Sequence, residues 1–137
     1  MTSMMNPQLV REATVYAHIA AENAGDVEAT LATFHRPRYV LPTGEVNGEE
    51  AVRQLVSGLI AAFPDFHFEI GSLRHNNDAV IVEGVMTGTH KADWAGLTAT
   101  GRRMEVPLTC VFEFDRYDLV SEGVIFDFAT LQRQLEL

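Results

Sequence analysis

Residues 104–114 alternate without a break. Met104, Val106, Leu108, Cys110, Phe112 and Phe114 share one face; Glu105, Thr109 and Glu113 share the other. Successive side chains of an extended chain point to opposite sides, so this stretch is a strand with one apolar and one polar face. Such a strand needs neighbouring strands at its edges and a second layer over its apolar face. The rest of the chain can supply both.

The first half carries the helical period. A helix is expected over 6–24: Pro7 suits its first turn, Leu9, Ala13, Tyr16, Ala17, Ala20 and Ala24 form a stripe, and Gly25 stops it. Asp26 is expected to cap a short second helix with Val27, Leu31 and Phe34 inward, ended by Pro37. A strand at 39–41 and a turn at 42–44 lead to a third helix. Asn47 and Glu50 have the spacing of a capping box there, and Val52, Leu55, Val56, Leu59 and Phe63 form the buried face.

After Pro64 the period changes. Phe66, Phe68 and Ile70 point one way, His67 and Glu69 the other. Asn76, Asn77 and Asp78 predict a hairpin turn into a strand over 79–90 that carries Val80, Val82, Met86 and His90 on one face. Residues 91–101 form a polar loop that includes Trp94 and Leu97. The alternating strand follows, then a turn at 115–118, a last strand over 119–128 and a helical turn over 131–135. Gly71, Gly84, Gly88 and Gly123 interrupt the strands and predict bulges or bends. Helices first and antiparallel strands after give an α+β domain over residues 1–137, and a bent sheet around helices leaves a concave cavity.

The chain has 137 residues, which fits a single domain with a core of its own. Cys110 is the one cysteine, so no internal disulfide forms. No apolar run reaches the ~18 residues of a membrane span, and the N-terminus lacks the pattern of a signal peptide. These features predict a cytoplasmic protein that does not engage a membrane. The net charge of −9 repels a phosphate backbone and argues against nucleic-acid binding. No His or Cys pair has zinc spacing, and neither a Gly-x-Ser-x-Gly elbow nor a Gly-rich phosphate loop occurs.

One set of residues is familiar: Gly88-Thr-His90, Gly96, Thr100-Gly-Arg-Arg-Met-Glu-Val-Pro107, Phe112-Glu-Phe114, Phe126-Asp127 and Gln134-Leu135. Together they resemble the SnoaL-like polyketide cyclases of the NTF2-like superfamily, which also holds ketosteroid isomerases, scytalone dehydratases and limonene epoxide hydrolases. The resemblance runs from the first helix to the C-terminus and is most specific over 88–107. It implies an NTF2-like cone, with three N-terminal helices packed in a strongly curved antiparallel sheet. It also implies a homodimer through the sheet and no metal or organic cofactor. In the cyclases an Asp on the last long strand is the acid/base of an aldol ring closure, and Asp127 matches it. Gly123 stands where cyclase-like sequences often carry Trp, a change expected to enlarge the pocket or shift substrate preference.

Asp127 lies among Val124, Ile125, Phe126 and Phe128. Burial there would raise its pKa toward the range of a general acid or base. The alternative is an Asp that faces water or caps the next turn. His90 shares the apolar face of its strand and is a candidate to orient Asp127 or bind a carbonyl. Tyr16, Trp94, Met86, Phe112 and Phe114 are the candidate substrate contacts, each with a core or packing role as its plainer explanation. His18 and His35 fall off the expected inner faces and are expected at the surface.

Three functions compete. The first is a cofactor-independent cyclase or isomerase in which Asp127 exchanges a proton with a small hydrophobic carbonyl compound, polyketide- or ester-like, while His90 and Tyr16 steady the enolate. The second is an epoxide hydrolase, which wants Asp-Arg-Asp around a water; Arg103 and Glu105 have the spacing but alternate away from the apolar face. The third is a non-catalytic module that binds a ligand or dimerises. Where Asp127 points is the observation that separates them.

Overall fold

The fold was taken from a computed structural model that describes residues 5–136. Helix α1 spans Pro7–Asn23 and α2 Val27–Ala32; strands β1 (Arg38–Leu41) and β2 (Gly44–Asn47) follow. Helix α3 (Glu49–Ala62) precedes β3 (His67–His75), β4 (Ala79–Thr89), β5 (Arg103–Asp115) and β6 (Asp118–Ile125). Helix α4 (Phe128–Leu135) ends the chain. The strands form one sheet in the order β2-β1-β6-β5-β4-β3. Every pair is antiparallel except β1 with β6. This is the expected α+β layout of helices held in a curved sheet.

Local chemistry sets the boundaries. Asn6 caps α1 by accepting from the Gln8 amide, and Pro7 takes the first helical position, where no donor is needed. Gly25 lies at φ 69° past the end of α1, a conformation that side-chain-bearing residues resist. Asp26 caps α2 through the Ala29 amide. The expected capping box of α3 does not form. Asn47 is held extended as the last residue of β2, paired with Arg38, so Gly48 takes the cap position without a side-chain bond.

The β3–β4 hairpin turns at Asn76, Asn77 and Asp78, as the turn residues predict, and its register slips at Gly71. Gly84 sits where β3 and β4 come closest. A Cβ there would stand 2.0 Å from the Glu69 carbonyl oxygen, so only glycine allows the bend. The inward face of β5 is buried along its whole length. Strand β6 ends at Ile125 rather than at 128, because the chain turns into α4. That helix docks on β5 through Gln134, whose side chain exchanges hydrogen bonds with the backbone N–H (2.7 Å) and carbonyl (3.0 Å) of Glu105.

Helix α1 presents a different face from the one expected. Arg11, Val15, His18 and Ile19 are buried, whereas Leu9 is 64% and Tyr16 52% exposed. Polar side chains can turn inward because each finds partners there. Arg11 donates to the carbonyls of Arg116 and Asn77 and lies over the Phe114 ring. No helix among the described residues is long and apolar enough to cross a membrane.

Candidate active site

The inner faces of β1, β4, β5 and β6 and of α3 enclose a cavity of about 380 Å³. Its walls are apolar: Leu55 and Leu59 from α3, Phe66 and Phe68, Met86, Met104 and Leu108. Trp94 and Ala95 of the 91–101 loop and Phe126 and Phe128 of the β6–α4 junction complete the wall. Two charged side chains line it, Glu22 from α1 and Glu122 from β6, with the Tyr39 hydroxyl and the Cys110 thiol beside them. An apolar cavity with a few convergent polar groups is the usual form of a small-molecule site.

Behind the carboxylates stands His18, which is fully buried. Its ring is packed edge-on against Phe34 and Phe112. The Thr33 hydroxyl spends its one proton on the Thr30 carbonyl (2.7 Å), so it can only accept from His18 Nδ1 at 2.8 Å. Nδ1 therefore carries a hydrogen, and Nε2 is the atom that faces the cavity end. Glu122 Oε1 lies 2.7 Å from Nε2, Glu22 Oε1 2.9 Å and the Tyr39 hydroxyl 3.3 Å. One ring nitrogen cannot direct a single N–H at three acceptors. Glu122 Oε1 in fact receives no well-directed hydrogen bond, although it is buried and close.

The charges follow from this crowding. Burial alone would lower the pKa of His18, but Glu122 and Glu22 outweigh it and hold the imidazolium up to about 10. Glu22 is pushed up by desolvation and by Glu122, with His18 opposing. Tyr39 and Cys110 are raised well above their ordinary values, mainly by burial and then by Glu122, so both stay protonated. One imidazolium thus faces two carboxylates, and Glu22 is the group with the strongest reason to hold a proton.

The donor atoms of His18, Glu22 and Glu122 lie within 4.8 Å of one another, a nitrogen and two oxygens that suit a divalent transition metal. A metal would have to displace the proton that the two carboxylates hold on Nε2. The set therefore fits proton chemistry better than metal ligation.

The sequence-based candidates separate into three groups. Met86 and Trp94 lie on the cavity wall. Phe112 packs behind His18, and Phe114 lies under Arg11, both outside the cavity lining. Asp127, His90 and Tyr16 are elsewhere. Asp127 is exposed and caps α4, accepting from the Ala129 amide (3.1 Å) and the Thr130 hydroxyl (2.9 Å). Those bonds hold its carboxyl below the usual range, the reverse of the shift expected for a buried acid. Its strand ends two residues earlier, so apolar neighbours do not bury it. His90 is buried and stacks on Phe63, where it can neither reach the cavity nor orient Asp127. Tyr16 is on the outer side of α1. Gly123 also faces outward: a Cβ there would touch Val111 at 3.6 Å, so a larger residue would not narrow the cavity.

The sequence reading missed Glu22, Glu122, Tyr39 and, most of all, His18, which it placed at the surface. Two signals were present. His18 and Glu22 are four apart on one helix, and Glu122 alternates with Val120 and Val124 two residues away on either side in the last strand.

Solved structures share this architecture over nearly the whole chain. A protein provisionally assigned as a SnoaL-like polyketide cyclase from Jannaschia sp. CCS1 superposes with a TM-score of 0.86 at 15% identity, covering 98% of this chain and 97% of that one. A second, from Acidithiobacillus ferrooxidans and provisionally assigned as a polyketide cyclase, reaches 27% identity and a TM-score of 0.74 with the same coverage, 98% and 97%. IdmH from Streptomyces antibioticus, also provisionally assigned as a polyketide cyclase, is 25% identical with a TM-score of 0.73, covering 97% and 100%. No curated protein matches the sequence. The sequence profile of the SnoaL-like polyketide cyclases matches residues 12–135, a span that runs from within α1, through the residues that line the cavity, to the end of α4. On fold and sequence together, the chain belongs to the SnoaL-like polyketide cyclase family.

Proposed function

We propose that the protein is a cofactor-independent proton-transfer enzyme of the cyclase or isomerase type, acting on a small hydrophobic carbonyl compound in this cavity. The observation that carries the reading is the group of buried His18 and Glu122 with half-buried Glu22 at the polar end of an apolar pocket. The catalytic carboxylates are then Glu22 and Glu122, in place of Asp127.

The parts divide the work by charge. Glu122 Oε1 lies 2.7 Å from His18 Nε2 and its side chain lines the cavity, so Glu122 is the base that removes a proton α to the carbonyl. Glu22, whose carboxyl burial pushes above its ordinary value, and the protonated Tyr39 hydroxyl are donors for the developing enolate oxygen. In an aldol closure the enolate carbon attacks a second carbonyl, and Glu22 delivers its proton to the new alkoxide. The Thr33 hydroxyl accepts from His18 Nδ1–H, which fixes the ring's orientation and keeps Nε2 toward the carboxylates. Among the described residues no arginine lines the cavity, which disfavours the Asp-Arg-Asp chemistry of an epoxide hydrolase.

The test is solvent deuterium exchange at the α-carbon of a panel of hydrophobic ketones and esters, followed by NMR. Wild type is expected to catalyse exchange, with Glu122→Gln and Glu22→Gln each losing about 100-fold or more. Asp127→Asn is expected to match wild type. Exchange that survives both glutamine variants removes the proposed roles. Ligand binding without any exchange supports the non-catalytic alternative.

A further inference from the structure

We propose that the cavity is also a receptor for lipophilic amines, which it takes as ammonium ions against Glu122 and the ionised form of Glu22. This goes beyond the proton-transfer reading and shares with it the cavity and the two carboxylates. Among the described residues, the two glutamates are the only charged side chains on the lining, and no lysine, arginine or histidine faces the cavity. Behind them stands one imidazole, which can balance one carboxylate and no more. Glu122 Oε1 is left buried without a well-directed hydrogen bond. A buried carboxylate with an unfilled acceptor is costly, and a cation relieves it.

The walls favour the same ligand. Tyr39, Phe66, Phe68, Trp94, Phe126 and Phe128 all face the cavity, and ring faces attract an alkylated ammonium. An anionic ligand meets two carboxylates and finds no cation on the wall. The chain's net charge of −9 adds long-range attraction for a cation. A hydrophobic amine of suitable size can place its nitrogen between Glu22 and Glu122 and its apolar body against the walls. A ligand so placed occupies the space of a carbonyl substrate and competes with it.

Three compounds of one shape isolate the charge: N,N-dimethylphenethylamine, its neutral isostere 3-methylbutylbenzene, and 3-phenylpropanoate. Binding is read from the fluorescence of Trp94, the single tryptophan of the chain, with calorimetry alongside. The amine is expected to bind at least about tenfold more tightly than the neutral isostere, and the carboxylate more weakly than both. Glu22→Gln and Glu122→Gln are expected to bring the amine down to the neutral level while leaving the neutral compound unchanged, which also shows that the cavity still folds. If Glu122→Gln does not fold, Glu22→Gln carries the comparison. An amine that binds no better than its isostere, or a preference that survives the substitutions, overturns the proposal. So does a site that takes up Zn2+ or Mn2+ and ignores the amine. Because exchange is measured on neutral carbonyl compounds, loss of the amine preference with exchange intact removes this proposal alone. Loss of exchange with the preference intact removes only the enzyme reading.

Discussion

His18 joins four parts of the chain through one ring. Nδ1 is tied to Thr33 after α2, and Nε2 meets Glu22 on α1, Tyr39 on β1 and Glu122 on β6. Replacing it with alanine strands two carboxylates, and we expect a loss of about 3–5 kcal/mol in urea denaturation. Its titration has a definite sign. The folded value of about 10 lies above the ordinary 6.5, so the stabilisation is complete below about pH 6.5 and is lost as pH rises through about 10. Glu22, also raised, acts in the same sense: its contribution is complete below the ordinary 4.5 and is lost as pH rises through its elevated folded value. The melting temperature should therefore fall between about pH 6.5 and pH 10, and His18→Gln should flatten the slope. At Asp127 the expected effect is separate: Asp127→Ala lowers the melting temperature by uncapping α4 and leaves ligand affinity unchanged. Sequence could show that this aspartate has apolar neighbours. It could not show that the strand stops before them. Nor could it show which stripe of α1 turns inward, because the true one mixes Arg11, His18 and Glu22 with Val15 and Ile19, and polar residues enter a core only where distant partners meet them.

The strands were the most legible elements. The alternation of 104–114 and the turn residues at 76–78 act between near neighbours, and both elements stand where the pattern put them. Strand β2 was hidden, because Pro42, Thr43 and Gly44 read as a turn and its ladder exists only through β1. Helix α4 was read one turn short because its Asp127 cap was taken for the end of a strand. Glycine positions can be graded at this scale. Gly84→Ala drives a methyl into the Glu69 carbonyl and the Phe68 ring, and is expected to cost about 3 kcal/mol or more by thermal unfolding. Gly123→Ala meets only ordinary contact with Val111 and is expected to move the melting temperature little.

For the whole molecule, the unsettled relation is between copies. We infer a homodimer through the outer face of the sheet, as in the family. A shallow cleft there, lined by Val85, Thr87 and Pro107 with His67, Glu69, Arg103 and Glu105 around them, offers an apolar centre with a charged rim. Light scattering after gel filtration should report twice the monomer mass, and Val85→Arg should halve it without altering ligand binding, since that face lies opposite the cavity. A persistent dimer in this variant would place the interface elsewhere.

The contacts of His18 make the floor of the cavity a fastener as well as a floor. Whatever presses on Glu22 and Glu122 presses on the bond between the first helix and the sheet. Occupancy should then be visible beyond the side chains that touch the ligand, as slower amide hydrogen exchange through the last turns of α1. It also ties the fate of the site to the fate of the fold. A lineage that discarded this chemistry would have to replace His18, Glu22 and Glu122 together, since dropping any one leaves the others buried and unanswered.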